Sequence, residues 1–419
     1  MKNIVYLLVA AGATMGQQPG NSALDLSGDL NRELPKWLRF SGEYRSRFEG
    51  FSGLGFKRDN SDDYLLSRLR LNMLLQPTPW LKVFAQGQDA RVFFKDQKPA
   101  APPYQNTWDL RQAYLELGDS EKKGFGLRVG RQEINLGEQR LVGSLNWTNT
   151  ARTFDAVRAT MRGGGFRLDA FASSVVVQKD GTFDHHQQGN NLHGLYGGIE
   201  KLVPDAVIEP YVLWRVQHRL IDTKTTGVRW VGKLPAHFDY GMEMAIQRGT
   251  VSSAPLAAWA GHWVGGYTFA ASRFKPRALV EYNYASGGAG HTFDQLYPTG
   301  HDKYGLADQV GWRNIRDLRT GVEFKPAKKW TAAAIFHDWR LANAHDALYN
   351  AAGAVVVKAS PGNLVTHIGE ELDGQAMYAI NKQVQLGFGY GHIFPGAFLK
   401  NATQGNGYNY PYVMAIYAF

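Results

Sequence analysis

The sequence predicts an all-β fold: a transmembrane, antiparallel, up-and-down β-barrel of about 18 strands with short periplasmic turns and long extracellular loops. Three observations predict it. Apolar and polar residues alternate along one segment after another, the connections between these segments are short and long in turn, and the chain ends in a strand that closes on Phe419. Alternation with a period of two indicates a strand with one apolar and one polar face.

The composition fits this fold class and excludes others. The 419 residues include 47 Gly, 20 Tyr, 22 Phe, 11 Trp and no Cys, which excludes disulfide scaffolds, thiolate metal sites and cysteine catalysis. A mean hydropathy of −0.33 excludes a bundle of apolar membrane helices. The formal net charge of +9 indicates anionic partners.

The first residues are typical of a signal peptide. Lys2 precedes an apolar run, 4–13, which at about 10 residues is too short to span a bilayer. We therefore predict a signal peptide at 1–16, an N-terminal periplasmic segment at 17–35 and the barrel at 36–419. The alternative is that the apolar run is a buried strand.

The first predicted strand shows the alternation most clearly. Arg and Glu are almost never fully buried in a soluble core unless they are paired, so a strand face rich in both predicts an aqueous lumen and the opposite face predicts lipid. The same pattern recurs at 65–76, 208–217, 238–247 and 277–284. The apolar face of the first strand carries Leu38, Phe40, Gly42, Tyr44 and Phe48, and the polar face carries Arg39, Ser41, Glu43, Arg45 and Arg47.

The connections predict the topology. Eight short turns and nine generally longer loops alternate, which joins eighteen strands and places nearly all long loops at one end, as in outer-membrane barrels. A soluble sandwich has no reason for that asymmetry. The short turns are 77–79, 119–123, 162–165, 203–205, 234–237, 272–275, 325–328 and 381–383. The longer loops are 49–63, 95–107, 134–151, 177–189, 218–224, 249–257, 287–311, 342–366 and 395–408.

Aromatic residues mark the predicted membrane borders. Trp37, Trp80 and Trp330 stand at strand starts, where their rings would reach the bilayer interface. The final strand ends in Phe419 and resembles the terminal signal of bacterial outer-membrane proteins. These features predict the bacterial outer membrane as the location.

Arginines on the polar faces, together with one dense segment at 129–158, are the candidate functional residues. Guanidinium groups bind carboxylate or phosphate bidentately, and rings of Arg make a pore prefer anions. The alternative at each position is a structural ion pair with a lumen carboxylate. Carboxylates available for pairing are Glu43, Glu116, Glu209, Glu243, Glu281, Glu323 and Asp373, and we expect Glu370 and Glu371 also to balance arginines. The predicted substrate-binding or pore-lining residues are Arg45, Arg47, Arg68, Arg70, Arg128, Arg131, Arg140, Arg152, Asp155, Arg158, Arg215, Arg229 and Arg319.

The dense segment is a candidate for binding a saccharide, and two long loops are candidates for closing the lumen. Trp147, inside the dense segment, could stack on a sugar ring; the alternative is that the segment packs into the lumen through its own salt bridges. The loops 287–311 and 342–366 are long enough to fold inward as a gate.

We expect no catalytic residue, no metal site and no cofactor. His185 and His186 are adjacent on a predicted strand edge, so their side chains point apart. The acidic cluster at 59–63 lacks the spacing of an EF-hand.

The dense segment and several later motifs together resemble the alginate-export family of bacterial outer-membrane proteins, from about Trp37 to Phe419. The resemblance implies an eighteen-stranded monomeric barrel whose electropositive constriction passes an anionic polysaccharide outward. The matching motifs are 130–132, 137–140, 147, 152–158, 292–298, 301–305, 337–338, 341, 346–349, 369–373 and 391–396.

The function we expect is that of an outer-membrane channel, not an enzyme, for anionic solutes such as alginate or a related uronate polymer. The alternatives are a general anion-preferring porin and an outer-membrane barrel hydrolase. The expected partners are outer-membrane lipid, the anionic polysaccharide or another anionic solute, and periplasmic export proteins. We expect a monomer and no nucleic-acid partner.

Overall fold

The computed structural model describes residues 26–97, 100–358 and 360–419. Eighteen strands form one closed antiparallel sheet, in which the first strand pairs with the second on one side and with the last on the other. The predicted fold class and strand number are therefore confirmed, whereas the predicted signal peptide lies outside the described residues. The barrel strands are β1 (Leu38–Ser52), β2 (Ser61–Thr78), β3 (Leu81–Phe93), β4 (Asn106–Gly118), β5 (Gly124–Gln132), β6 (Phe154–Gly163), β7 (Phe166–Val177), β8 (His185–Ile199), β9 (Ala206–Gln217), β10 (Ile221–Lys233), β11 (Phe238–Val251), β12 (Ala254–Thr268), β13 (Arg277–Ala285), β14 (Ile315–Phe324), β15 (Trp330–Leu341), β18 (His367–Ala379), β19 (Val384–Pro395) and β20 (Tyr408–Ala418).

Several smaller units are not part of the 18-stranded sheet. A two-stranded ribbon, β16 (Leu348–Tyr349) with β17 (Val355–Val357), sits within the loop between β15 and β18. Helix α1 (Leu26–Glu33) precedes β1, and helix α2 (Ala397–Ala402) lies in the loop before β20. Among the described residues, no helix is long and apolar enough to cross a membrane.

Strand β1 has the predicted two faces. Tyr44 and Phe48 are exposed on the outside of the barrel, where lipid would cover them, whereas Arg45 and Arg47 are buried inside. Because alternate side chains of a strand point to opposite faces, the polar face of β1 lines the lumen.

All eight predicted turns join strands at the end of the barrel where β1 begins and β20 ends. Two of the nine predicted long loops are wrong, since β9 and β10 are joined by residues 218–220 alone and β11 and β12 by Ser252 and Ser253. Both serines have positive φ, as a tight hairpin requires. Residues 221–224, which suggested a loop, instead continue β10, and Thr223 points inward and is buried.

The seam between β1 and β20 has an additional cap. Gly42 and Phe419 exchange two backbone hydrogen bonds, and β20 ends there. Beyond this point Asn31 of α1 replaces the missing strand, since its side chain donates to the Phe40 carbonyl at 2.7 Å and accepts from the Phe40 N–H at 2.9 Å. The predicted periplasmic segment 17–35 thus includes a helix that pairs with the exposed edge of β1.

Three loops fold into the extracellular half of the lumen: 133–153, 286–314 and 342–366. The two predicted to fold inward do so, and the dense segment joins them. Their apolar side chains form a common core with the inner wall, which explains how large hydrophobic residues are buried inside an otherwise polar lumen. Fully buried members include Ile134, Val142, Phe293, Trp312 and Leu348.

Candidate functional site in the barrel lumen

One side of the lumen, formed by β1 to β4, carries a concentration of arginines that we name the basic wall. All five side chains are buried, and two of them, on β1 and β2, stand directly opposite each other in the strand register. Like charges in that position are destabilising unless other groups compensate. The basic wall consists of Arg45, Arg47, Arg68, Arg70 and Arg111.

The basic wall holds the turn 146–148 of loop 133–153 by its backbone carbonyls. Arg45 donates to the carbonyls of residues 146, 147 and 148 at 3.0, 3.0 and 3.1 Å. Arg68 donates to those of 146 and 148 at 2.9 and 3.2 Å, and Arg47 to that of 147 at 2.7 Å. Each of the three carbonyls accepts two of the six bonds, so this turn is the electrostatic partner of the wall.

Carboxylates neutralise the basic wall only in part. Glu43 pairs with Arg68 at 2.6 Å, Glu49 with Arg47 at 2.7 Å, and Glu133 with Arg111. Within the described residues Arg45 and Arg70 form no ion pair, and the Nη2 of Arg70 is buried without a hydrogen-bond partner. Five guanidinium groups therefore face three carboxylates.

A second part of the lumen wall, on β13, β14 and β18, carries a cluster of buried carboxyl groups, and we name it the acidic wall. Glu371 accepts a hydrogen bond from the Ala307 N–H at 2.8 Å, and Asp373 accepts one from the Leu306 N–H at 3.1 Å. The expectation that these two carboxylates balance arginines is wrong, because the inward fold of loop 286–314 presents backbone donors to them. The acidic wall consists of Glu281, Asp317, Glu371 and Asp373, all buried.

Gly305 allows loop 286–314 to approach the acidic wall this closely. Its φ of +113° is one that residues with a Cβ rarely adopt, and a Cβ would lie 2.2 Å from the Glu371 carboxylate and 2.6 Å from the Trp339 ring. Glycine at 305 is thus required for the loop to bring the next two N–H groups to the wall.

Loops 133–153 and 286–314 meet in the middle of the lumen and pair with each other. The Gly143 N–H donates to the Tyr297 carbonyl, and the Tyr297 N–H donates to the Leu141 carbonyl, each at 2.9 Å. A third bond of 2.9 Å joins the Thr299 N–H to the Gln139 carbonyl. These bonds connect the loop held by the basic wall to the loop held by the acidic wall.

Trp147 closes the contact between the two loops. The His301 ring is stacked on it at 3.8 Å with an interplanar angle of 6°, and the Arg47 guanidinium lies 3.8 Å from its ring centroid. Only 8% of the side chain is exposed. The hypothesis that Trp147 stacks on a sugar is therefore not met in this arrangement, because protein groups occupy the ring.

Above this contact, toward the extracellular mouth, lies a cavity of about 530 Å³. It is lined by aromatic side chains, among them Tyr64, Tyr408 and Tyr410, and by charged side chains of both signs: Glu49, Asp62, Asp308, Arg47 and Lys95. Tyr410 donates to Glu49 at 3.0 Å. Sequence reasoning did not single out these tyrosines, since each reads as an ordinary residue of a strand.

Five predicted pore-lining arginines face the lumen but are held by carboxylates, which is the structural alternative weighed above. The shortest contacts to Arg128, Arg158, Arg215 and Arg319 measure between 2.6 and 2.8 Å. Such pairs fix neighbouring strands or loops rather than offering a free charge. The pairs are Arg128–Glu116, Arg158–Asp169, Arg215–Asp294, Arg229–Glu209 and Arg319–Glu281, with Glu138 as a second partner of Arg229.

Arg140 and Arg152 fasten the loops. Arg140 donates to Glu281 of the acidic wall at 2.9 Å and to the Tyr304 hydroxyl at 3.1 Å. Arg152 donates to the Pro298 carbonyl at 3.0 Å, and burial lowers the pKa of its guanidinium to about 10.

Arg131 and Asp155 were predicted to line the pore, and the structure places them elsewhere. They pair with each other at 2.8 Å near the extracellular ends of β5 and β6, on the outward face that also carries the exposed Val129 and Val157. At a strand end water is available on both faces, so a polar side chain does not report which face is the lumen.

Sequence reasoning also missed Arg111. In the pairing of β3 with β4 the register shifts between Gln86 and Gly87, which leaves Arg111 as the extra residue of a bulge. Both Arg111 and Gln112 are buried as a result. A strict period of two places only one of two adjacent residues inside, so it could not find this arginine.

The fold and lumen define the chain as an outer-membrane β-barrel of the porin type. Solved barrels of Pseudomonas aeruginosa share the fold. OccK5 (OpdH) aligns at 10% identity with a TM-score of 0.64, covering 91% of this chain and 98% of that one. OccK3 (OpdO) aligns at 12% identity with a TM-score of 0.64, covering 93% of this chain and 97% of that one. OccK11 (OpdR) aligns at 12% and 0.59, covering 91% and 96%.

The family model described as "Alginate export" matches residues 36–412, and the chain belongs to this family. No curated protein matches the sequence significantly. The family and the barrel together make the protein a channel of the bacterial outer membrane.

Proposed function

We propose that this outer-membrane channel conducts anions and that its substrate is an acidic saccharide, such as alginate or a related uronate polymer. The observation that carries the proposal is the basic wall, in which five buried guanidinium groups face three carboxylates. A local excess of positive charge in a lumen favours anions over cations.

The contacts of the wall suggest how an anion would bind. Arg45 and Arg68 now donate to neutral carbonyls of the turn 146–148. A carboxylate adds its own negative charge and a second oxygen to this contact, so it can bind a guanidinium bidentately and more strongly than a single carbonyl does. A carboxylate entering the lumen therefore competes with the carbonyls, and the turn acts as a gate that the substrate displaces.

Arg70 offers the first point of binding in this mechanism. Its Nη1 donates to the Asn146 side chain at 2.9 Å and its Nε to Gln88 at 2.7 Å, whereas its Nη2 has no partner. A buried donor without an acceptor carries a desolvation cost of roughly 1–3 kcal/mol, which a bound carboxylate would relieve.

The cavity above the gate supports a saccharide rather than a small inorganic anion. Its 530 Å³ lies within the range of small-molecule sites, about 300–1,000 Å³. Aromatic rings and tyrosine hydroxyls, such as those of Tyr64 and Tyr408, suit the apolar faces and hydroxyl groups of a sugar. The family description points to the same substrate class.

A general anion-preferring porin is the second candidate function, and the acidic wall is the observation that favours it. A polyanion that fills the lumen would have to pass the buried carboxyl groups of Glu371 and Asp373 as well as the basic wall, whereas a small anion could pass along the basic wall alone. The family and the compared barrels are of channel type, and they lend no support to the barrel hydrolase.

Single-channel recording in planar bilayers tests the proposal. Under a salt gradient the reversal potential should show anion preference, and uronate oligomers should block the current at concentrations where neutral oligomers of equal length do not. The double variant Arg45→Gln/Arg70→Gln removes the two unpaired charges and should shift the reversal potential toward cations and weaken the block.

The matched control is Arg128→Gln/Arg158→Gln, which removes the same charge from paired positions near the periplasmic end. It should change selectivity much less. Cation preference of the unmodified channel, or equal effects of the two double variants, would refute the basic wall as the anion site. Anion preference without block by uronate oligomers would favour the general porin.

We also propose that one chain is the working unit and that periplasmic export proteins deliver the substrate. In support, both walls and all three inward loops belong to a single lumen. Native mass spectrometry of the detergent-solubilised barrel tests the first part, since a stable trimer would contradict it.

A further inference from the structure

A cluster of ionisable residues lies outside the lumen, at the extracellular end of β15 and β18. We name Asp338, His367 and Glu370 the rim triad. Asp338 and Glu370 lie on the outward face that carries the exposed Phe336 and Leu372. The triad therefore belongs to the outer rim of the barrel and not to the channel.

The strand register brings two like charges together in the triad. Asp338 on β15 and Glu370 on β18 are direct cross-strand partners, an arrangement that is destabilising for two carboxylates. His367 approaches both, with its Nε2 at 3.5 Å from the Asp338 Oδ1 and 3.1 Å from the Glu370 Oε1. One ligand atom from each of the three residues lies within 4.8 Å of the others.

Hydrogen bonding within the protein does not satisfy the inner atoms of the triad. The His367 Nε2 and the Asp338 Oδ1 are both shielded from solvent, and neither has a hydrogen-bond partner. Arg340 contacts the other oxygen of the same carboxylate, Oδ2, at 3.3 Å. Arg340 thereby orients Asp338 and leaves Oδ1 directed at the imidazole.

The local backbone places His367 where it can complete the cluster. The register between β15 and β18 shifts between Trp339 and Arg340, so that His367 stands opposite Arg340. Gly396 gives the ring its space, because a Cβ at that position would lie 2.8 Å from the His367 Nδ1. Bulges of this kind re-aim side chains at the rims of barrels.

We propose that the rim triad binds a divalent transition-metal cation, with Zn²⁺ as the best match. Imidazole nitrogen combined with carboxylate oxygen is a zinc ligand set, whereas Ca²⁺ and Mg²⁺ prefer oxygen ligands alone. Bonds of about 2.1 Å in tetrahedral geometry separate ligand atoms by about 3.4 Å. The two contacts of His367, 3.5 and 3.1 Å, are already at that separation.

The bound cation would fasten the base of loop 342–366. The three ligands come from the two strands that this loop joins, so a metal ion links them just below the point where the chain turns into the lumen. It also neutralises the opposed carboxylates. A fourth coordination position would be left for water.

Metal titration of the purified, metal-stripped barrel in detergent, carrying no histidine tag, tests this site. Isothermal titration with Zn²⁺ should give one equivalent bound, and Co²⁺ should give the visible absorption of a four-coordinate site. His367→Ala and Asp338→Asn should each weaken Zn²⁺ binding at least tenfold. Zn²⁺ should raise the Tm of the unmodified barrel and not that of either variant.

His186→Ala is the matched control. His186 and Asp155 form a similar rim pair, at 3.9 Å, but no third ligand joins them among the described residues, so this variant should bind Zn²⁺ as tightly as the unmodified barrel. Retention of the heat-modifiable gel shift shows that each variant is folded. Binding that is absent in the unmodified protein, or unchanged in His367→Ala and Asp338→Asn, would overturn the proposal.

Discussion

The two walls of the lumen hold their loops by opposite means. On the basic wall, Arg45 and Arg68 donate to the carbonyls of the turn 146–148. On the acidic wall, Glu371 and Asp373 accept from the N–H groups of residues 306 and 307. Each loop presents to its wall the end of the peptide dipole that the charge attracts.

The charge of each wall therefore matches the backbone groups that the loop resting on it presents. A carbonyl is a neutral acceptor that a carboxylate can replace, whereas an N–H group on a buried carboxylate has no competitor in an anion-filled lumen. We therefore expect loop 133–153 to be the part that moves and loop 286–314 to be the fixed part.

A disulfide between the two loops is the strongest test of that division. The chain has no cysteine, and Val142 and Tyr297 form a parallel bridge, so Val142→Cys/Tyr297→Cys would join the moving loop to the fixed one. Single-channel conductance should fall to a small fraction under oxidation and recover with reductant. Unchanged conductance in the fully oxidised protein would show that the loops open together, and each single variant serves as a control.

Conservative changes on the basic wall should separate charge from geometry. Arg45→Lys/Arg68→Lys keeps both charges but loses the planar fork that reaches several carbonyls at once. Openings recorded in bilayers should become about tenfold more frequent, which corresponds to about 1.4 kcal/mol, while the reversal potential stays anion-preferring. A loss of selectivity in this variant would mean that geometry and charge cannot be separated here.

On the acidic wall, Glu371→Ala should release loop 286–314 locally. It leaves the Ala307 N–H buried without an acceptor, at a cost of roughly 1–3 kcal/mol, so exchange of that amide hydrogen should accelerate by about tenfold. Glu371→Gln keeps an acceptor oxygen and should preserve most of the protection. Equal exchange in both variants would mean that the carboxylate does not hold the loop.

The smallest effect concerns Glu138 of loop 133–153, which pairs with Arg140 of the same loop and ties the loop to Arg229 on β10. Burial raises the pKa of its carboxyl, but the positive charge of Arg140 and other neighbours holds this pKa well below its usual value. The stabilisation is therefore fully present above about pH 4.5 and is lost only as the pH falls through the depressed folded-state pKa.

Glu138→Gln should accordingly lower the free energy of local opening of loop 133–153 by about 1 kcal/mol or less at neutral pH. The difference from the unmodified protein should be constant between about pH 5 and 8 and shrink only in stronger acid. A difference that already disappears near pH 5 would show that the ion pairs do not form. Hydrogen exchange across the pH series measures it.

The barrel could be predicted because lipid and water act on every residue of a spanning strand. Tyr44 faces outward and Arg45 faces inward for that reason alone. The alternation of apolar and polar residues can therefore be recognised in the sequence. The same rule failed at strand ends, where Arg131 and Asp155 meet water on the outward face. It failed also at the bulge that turns Arg111 inward, since a bulge changes the period locally.

The site could be predicted only as a set of arginines. Which of them hold a gate depends on contacts between distant parts of the chain, such as the one between Arg45 and Asn146, 101 residues apart. Strand periodicity carries no information on where an inward loop rests. The rim triad was equally hidden, because a register shift brings His367 to its place.

The two hydrogen bonds between the Asn31 side chain and the Phe40 backbone affect whether the barrel can pair with another protein's β-sheet. Where the last strand stops short, the first one leaves a free amide and a free carbonyl, the feature by which one sheet recruits a strand from another. Because Asn31 hydrogen-bonds both groups, no strand of another molecule can pair with them. Any periplasmic protein that pulled this helix away would uncover a docking edge at the joint where the ring is closed.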